Sequence, residues 1–584
     1  MNEFTVGREP IVVVELFQKC CQNRYGVSPC TAQLGQLPQK CYNTFATCQD
    51  YAHFNLDGEI VWKFVKPDVN FTNCIPSLVS VSSTATKINI GGGDETVSPF
   101  GRRSTCTIIL TDHPTDDSKD FYLSSRGFDP LTRGTFWGKF LARNPYYSNW
   151  TVNIYEGYVG QTIEQMQKRT YLIDKIAGPD SGGKVTITTK DPLKLGDDKR
   201  ALVPVPSDGR LAVDITNTQT TGIIIENSKN DILKRLGNTA LYYLRIGDEI
   251  ISYTGATQNE TLYTLTGVTR AVLGTEAEEH KMDDDASRVI RYESMPCWRV
   301  AYDLLVNFTD ISASYIPLDE WDKEGNIWLN IFQLTGTIEE NISVNELLGE
   351  LCEQCLMYIW WEERETKVKL KAIRPEIDDV AVLNDRDNII QDSFSIKEDP
   401  NQRLSRFIVY FNRKNVTEDI DKVGNYRNAV LRIDGDSEYA YQESRTKRVW
   451  SRWLTTEAQA RQLSVRMLER YKLNPRYITL KVDAKDRNIS VGEVIMLETM
   501  SIQDPTGDGI TAMFQVISVN EVTQGEVIQL ELQSFEFEEA ERYGFYTYPD
   551  TLNYADYTKA ERIGKAFYAD NNDKVAGDDP YLYS

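Results

Sequence analysis

The chain has 584 residues, room for roughly three to five domains of about 100–200 residues each. Its 41% hydrophobic and 11% aromatic content is that of folded protein and excludes wholesale disorder. A net charge of −22 repels phosphate and argues against nucleic acid as the main partner. No apolar run approaches the ~20 residues of a membrane helix. Met1 to Pro10 carries charges and no apolar stretch, so no signal peptide is expected and the chain reads as folding in a reducing cytoplasm.

The first feature along the chain is a turn-rich segment with Cys21, Cys30, Cys41 and Cys48, spaced Cys-x8-Cys-x10-Cys-x6-Cys. Thiols this dense point to disulfides, a zinc ion or an iron–sulfur cluster, and a reducing compartment disfavours the first. No gap matches the short Cys-x2–4-Cys knuckle of zinc sites or the tight spacing of ferredoxins. Spacing alone therefore leaves metal ligation and ordinary buried thiols both open, and Cys20 competes with Cys21 for first place.

Strands are expected at Val61–Val65, Cys106–Leu110, Thr151–Tyr155, Val185–Thr189, Val368–Ala372, Phe407–Phe411, Tyr477–Val482, Val494–Leu497 and Phe514–Val519. These are short runs rich in β-branched and aromatic residues, punctuated by Gly, Asn, Asp and Pro. Helices are expected from Trp298 to Phe308, from Ser343 to about Trp361 behind a Ser343/Glu346 capping box, and from about Thr456 to Tyr471 with Gln459 in the box position. Sandwiches and barrels fit this spacing better than a parallel α/β sheet. The last 44 residues hold eight tyrosines (543, 546, 548, 554, 557, 568, 581 and 583) and read as a partner-docking tail.

Catalytic candidates are sparse. Cys352 and Cys355 form a Cys-x2-Cys, but on the apolar stripe of a helix, so they read as core. Cys74, Cys106 and Cys297 have no thiol neighbour in sequence and read the same way. His53, His113 and His280 are scattered and read as structural. Asp283–Asp285 reads as a solvated acidic loop and Asp504–Gly509 as a hairpin turn. Gly91–Gly93 lacks the Gly-Lys-Ser/Thr of a phosphate loop, and no Gly-x-Ser-x-Gly element occurs.

The stretch from Cys21-Gln-Asn-Arg-Tyr-Gly-Val-Ser-Pro-Cys30 to Lys40-Cys41-Tyr-Asn-Thr-Phe-Ala-Thr-Cys48 resembles the cysteine signature of tail-hub and tail-tip proteins of long-tailed phages and gene-transfer agents. Arg133-Gly-Thr-Phe-Trp-Gly138 resembles the hub's tube-like β-domain. Ile246-Gly-Asp-Glu-Ile250 and Arg270-Ala-Val-Leu-Gly-Thr275 with His280 resemble a small β-module of tail-tip proteins. The resemblance covers residues 15–195 most specifically, extends to about 540, and stops before the tyrosine tail.

The resemblance implies a mainly β, multidomain chain with α+β parts, tube-like barrel or sandwich domains and a few helices. Its implied units are a cysteine segment (1–60), a first hub β-domain (61–200), an inserted β-module (205–292), an α+β domain (293–374), a second hub β-domain (375–540) and the tail (541–584). It further implies a non-enzymatic homotrimeric virion hub, assembled in the host cytoplasm and sited at the distal tail tip. Its implied partners are the distal tail protein ring, the tape-measure protein, a central fibre or receptor-binding protein and a host-surface glycan. Cys21, Cys30, Cys41 and Cys48 would hold a four-iron, four-sulfur cluster, with no catalytic residues. A carbohydrate-binding or wall-degrading tail module and an iron–sulfur redox protein stand as alternative expectations.

Overall fold

A computed structural model describes residues 4, 7–33, 41–94, 98–120, 122–123, 133–197, 201–375, 380–535, 545–547, 558 and 581–583. The architecture is mainly β with six short α-helices among the described residues, as the strand-rich pattern leads one to expect.

The N-terminal third builds one antiparallel seven-stranded sheet: β1 (Pro10–Cys20), β2 (Gly58–Phe64), β3 (Leu78–Thr84), β4 (Thr105–Thr111), β5 (Thr151–Tyr158), β6 (Gln167–Ala177) and β7 (Lys184–Lys190). Their order is β2-β1-β5-β6-β7-β4-β3. Alternation along β4 and β7 sends Cys106, Ile108, Leu110, Val185 and Ile187 into one core with Val12, Val14 and Leu16 of β1. Helix α1 (Phe136–Arg143) covers that core with Phe136, Trp137 and Phe140. Its first turn is held by Asp112, whose carboxylate accepts from the Trp137 amide at 2.9 Å.

Of the barrel or sandwich alternatives, this unit is an open sheet and does not close into a barrel. The sheet ends in two edge strands, β2 and β3; beside them the Val65 amide donates to the Ile75 carbonyl, the Ile75 amide to the Lys63 carbonyl and the Leu78 amide to the Val65 carbonyl. Residues 65–77 connect the two edges, and β2 and β3 form no ladder with each other.

Strands between Arg210 and Arg288 form a compact β-module of a four-stranded and a three-stranded sheet around Ile225, Leu244, Ile251 and Tyr253. Helices α2 (Cys297–Phe308), α3 (Leu318–Trp328) and α4 (Val344–Gln354) then pack with the hairpin Met357–Glu362/Lys367–Ala372 into the largest core. Cys352 and Cys355 are buried there, and Cys355 meets Cys297 of α2 through their thiols.

Helix α4 is shorter than its sequence pattern. Ser343 Oγ accepts from the Glu346 amide at 3.2 Å, but the helix ends at Gln354. Leu356 turns left-handed at φ 56, and the following Met-Tyr-Ile-Trp-Trp-Glu run becomes a fully buried strand.

A short helix, α5 (Gly435–Tyr441), and α6 (Glu457–Tyr471) accompany a three-stranded sheet of Arg406–Arg413, Tyr426–Ile433 and Thr446–Trp450. Thr456 and Gln459 close a complete capping box on α6. The glycines 91–93 form a tight turn beneath this helix. A Cβ at Gly93 would lie 2.3 Å from Tyr471, whose hydroxyl bonds the Ile90 carbonyl, so the run serves packing. A six-stranded sheet follows, in the order Ala381–Asn384, Val494–Gln503, Gly509–Thr523, Val527–Ser534, Arg476–Asp483, Ser395–Glu398. Asp504 closes its hairpin turn by accepting from the amides of Thr506 and Asp508. Of the tyrosine-rich segment, Phe545–Thr547 pairs in parallel with Tyr581–Tyr583, and most of the rest lies outside the described residues.

Candidate thiol site

The segment carrying the four cysteines is the connection between β1 and β2. Strand β1 ends at Cys20, which pairs in register with Gly58 and is buried against it. A Cβ at position 58 would lie 2.9 Å from the Cys20 Sγ, so glycine there makes room for this thiol. Cys21 is the first residue past the strand, and its amide bonds the Asn43 carbonyl at 2.7 Å, drawing the two halves of the loop together.

Cys21, Cys30, Cys41 and Cys48 all line one pocket of about 320 Å3, counting its open mouth; Cys20 does not. Backbone turns present the thiols: the Cys30 amide closes on Val27 at 2.9 Å and the Cys48 amide on Phe45 at 3.1 Å. Two thiols accept amide bonds from the residue two further on, Asn43 N–H to Cys41 Sγ and Asp50 N–H to Cys48 Sγ, each at 3.3 Å. Such bonds stabilise a thiolate.

Polar contacts brace the loop from outside. Asp50 accepts from the Thr31 amide at 2.6 Å and its hydroxyl at 2.8 Å, and it lies 3.0 Å from His53 Nδ1. The Thr31 amide, followed by His53, holds the Asp50 carboxyl down at about 2. The Tyr25 amide donates to the Tyr122 hydroxyl at 2.7 Å, and the Tyr25 hydroxyl bonds Gln49. Arg143 of α1 stacks 4.0 Å above the Tyr42 ring while pairing with Asp117. The loop's apolar support is thin: Phe45 touches Tyr51, Phe54 and Tyr146, yet is itself 48% exposed.

The thiols sense one another. Burial pushes Cys41 up to about 11 and raises Cys48. The neighbouring cysteines of the set add to both shifts, and the Asn43 and Asp50 amides oppose them. A single zinc ion would need sulfurs about 2.3 Å from one point, hence about 3.8 Å apart. Among the described residues no three Cys, His, Asp or Glu groups are gathered to hold one metal ion.

The sequence reading identified the cysteines and missed the residues behind them. Their signal is a repeat, Cys41-Tyr-Asn43 and Cys48-Gln-Asp50, that puts an amide donor two residues after each thiol. The other sequence candidates are structural. Glu249 of the β-module accepts from Arg270, from His280 Nε2 at 2.9 Å and from the amides of Ala271 and Glu278, so the module's recognisable residues converge on one buried carboxylate. His113 stacks on Phe136, and Cys106 and Cys297 are fully buried.

No protein-family model matches the chain, and no curated protein matches it. Solved structures similar to it include a tail protein from Neisseria meningitidis MC58, 11% identical over 78% of this chain and 91% of that one, with a TM-score of 0.34. Prophage tail protein gp18 from Listeria monocytogenes EGD-e is 10% identical over 82% and 92%, also with a TM-score of 0.34. A chain of a native gene transfer agent virion is 11% identical over 59% and 92%, with a TM-score of 0.29. Likeness at this level carries no argument about function.

Proposed function

We propose that this chain is a structural virion protein: a homotrimeric tail hub closing the distal end of a tail tube. In this reading it carries a four-iron, four-sulfur cluster on Cys21, Cys30, Cys41 and Cys48. The observation that carries the proposal is the four-thiol pocket in the β1–β2 loop, built by the residues whose sequence resembles the hub signature. The amide bonds to Cys41 and Cys48 and the loop's thin apolar support both favour a metal staple.

The cluster's role is structural. It ties four points of a long loop to the end of the seven-stranded sheet, as structural metals tie domains with little core. The hub meets a distal tail protein ring and the tape-measure protein on one side and a central fibre on the other, and a host-surface glycan lies beyond. It sits at the virion's tail tip after assembly in the host cytoplasm, and the tyrosine tail docks on the fibre. No catalytic step is assigned to it.

Two variants test this reading. Cys30→Ser loses the brown chromophore and destabilises the N-terminal sheet; unchanged stability and tail assembly would refute the structural role. A chain truncated after Phe537 trimerises but fails to retain the fibre; fibre retention would refute tail docking.

A further inference from the structure

One cavity, of about 540 Å3 counting its open mouth, lies where distant parts of the chain meet. Glu156 of β5 and Arg169 of β6 line it from the N-terminal sheet, and residues 361–364 line it from the hairpin turn. Val519, Glu521 and Ile528 line it from the C-terminal sheet. Thr86 reaches it from the segment after β3, which is tied to that sheet where the Ile88 amide donates to the Ile517 carbonyl at 3.0 Å.

Three buried polar atoms of this lining lack an ordinary partner in the protein. Thr86 Oγ1 and Arg169 Nε have none. Glu156 Oε2 has only the Glu521 carboxyl beside it, and two carboxyl groups bond each other only when one is protonated. Buried groups left so are costly, and three of them on one cavity point to a common occupant.

The charges of the walls decide what that occupant is. Glu156, Glu362, Glu363 and Glu521 face Arg169 and Arg364, and Arg487 adds a third guanidinium where it donates to Gln167 on the cavity wall. Four carboxyl groups disfavour an anion, and the guanidiniums disfavour a cation. Water suits all three orphaned atoms, accepting from Arg169 and bonding Thr86 and Glu156, and at ~30 Å3 per molecule the space takes several.

The same groups call for a proton. Four carboxyl groups against three guanidiniums balance when one carboxyl is neutral, and Glu156, 1% exposed, is the most buried of the four. Behind them the Tyr171 hydroxyl donates to Glu363 at 2.6 Å, and burial holds the Cys106 thiol up at about 12, so both stay neutral. Asp191, near Glu363, is held by the amides of Ser104 and Lys194 within the N-terminal part.

We infer that this cavity is a water-filled, proton-gated joint. Water entering by the mouth bridges Thr86, Glu156 and Arg169 and exchanges the Glu156 proton with solvent. Loss of that proton loosens the C-terminal sheet from the N-terminal sheet while each sheet stays folded. Burial, against the pull of Arg169, raises Glu156 to about 8, so the joint is tight at acidic pH and loosens as the pH rises towards that value.

The test is hydrogen exchange of the full chain, read by mass spectrometry from pH 5.5 to pH 9, with the intrinsic rise of exchange with pH divided out. In wild type, residues 151–177 and 516–523 are expected to lose about tenfold in protection per pH unit up to about pH 8, the effect of one proton, while residues 244–251 of the β-module keep theirs. Glu156→Gln abolishes the loss. An equal loss in the β-module, or protection that does not change with pH, overturns the joint. Thr86→Val tests the water separately. It lowers the melting temperature when water bridges the hydroxyl, and an unchanged or raised melting temperature overturns the filling by water.

Discussion

Arg169 of β6 and Glu156 of β5 lie diagonally on adjacent strands, and the guanidinium donates a hydrogen bond to the carboxyl group out of contact with solvent. They do so where three parts of the chain meet. Glu363, from the turn after the Met357–Glu362 strand, lies 3.8 Å from Arg169, and Glu521 of the C-terminal sheet lies 3.6 Å away. The Tyr171 hydroxyl donates to Glu363 at 2.6 Å. Burial pushes Glu156 up to about 8 against the pull of Arg169, and Glu521 adds to the rise, so at neutral pH Glu156 holds a proton that it shares with Glu521. The junction between the two large sheets is therefore a buried polar latch.

The latch sets a pH dependence. Glu156 binds its proton more tightly folded than unfolded. Its contribution to stability is fully present below the ordinary value of 4.5 and falls as the pH rises from there to about 8. The loss runs at about 1.4 kcal/mol per pH unit. Glu156→Gln, which mimics the protonated form, removes this slope. Thermal unfolding of both proteins from pH 5 to pH 9 shows wild type losing ground to the variant as the pH rises. Parallel curves would contradict the latch.

Gly325 tests helix packing. It lies in α3, where a Cβ would come within 2.3 Å of the buried Trp298 ring of α2. The indole is fixed by its bond to Asp322 at 2.8 Å and cannot swing away freely. Gly325→Ala should destabilise by about 1–3 kcal/mol through overpacking, read from denaturant unfolding.

Glu249 tests the β-module. Glu249→Ala leaves Arg270 and His280 buried without their common acceptor, at a cost of about 3–5 kcal/mol. Limited proteolysis should then cut within residues 205–292 first, with the seven-stranded sheet still protected.

Local pattern carried much of this fold. Each expected strand falls in or against a strand of the structure because alternation and β-branching are local. The expected helix at Trp298–Phe308 and the one behind Thr456 form for the same reason. The pattern failed where backbone geometry overrode it: the apolar periodicity behind Ser343 runs on past Leu356, whose left-handed turn ends the helix. Contacts between distant residues left no trace in sequence. Glu156, Arg169, Glu363 and Glu521 span most of the chain, and Cys297 meets Cys355 from another helix. The four cysteines were conspicuous by density, but that they face one pocket while Cys20 turns into the sheet depends on where β1 ends.

The most direct test of the account is iron, acid-labile sulfide and zinc analysis of the full chain purified without oxygen. The account predicts about four iron and four sulfide per chain, a brown protein, and loss of both in Cys30→Ser. Stoichiometric zinc, or protein free of both iron and sulfide, would contradict it.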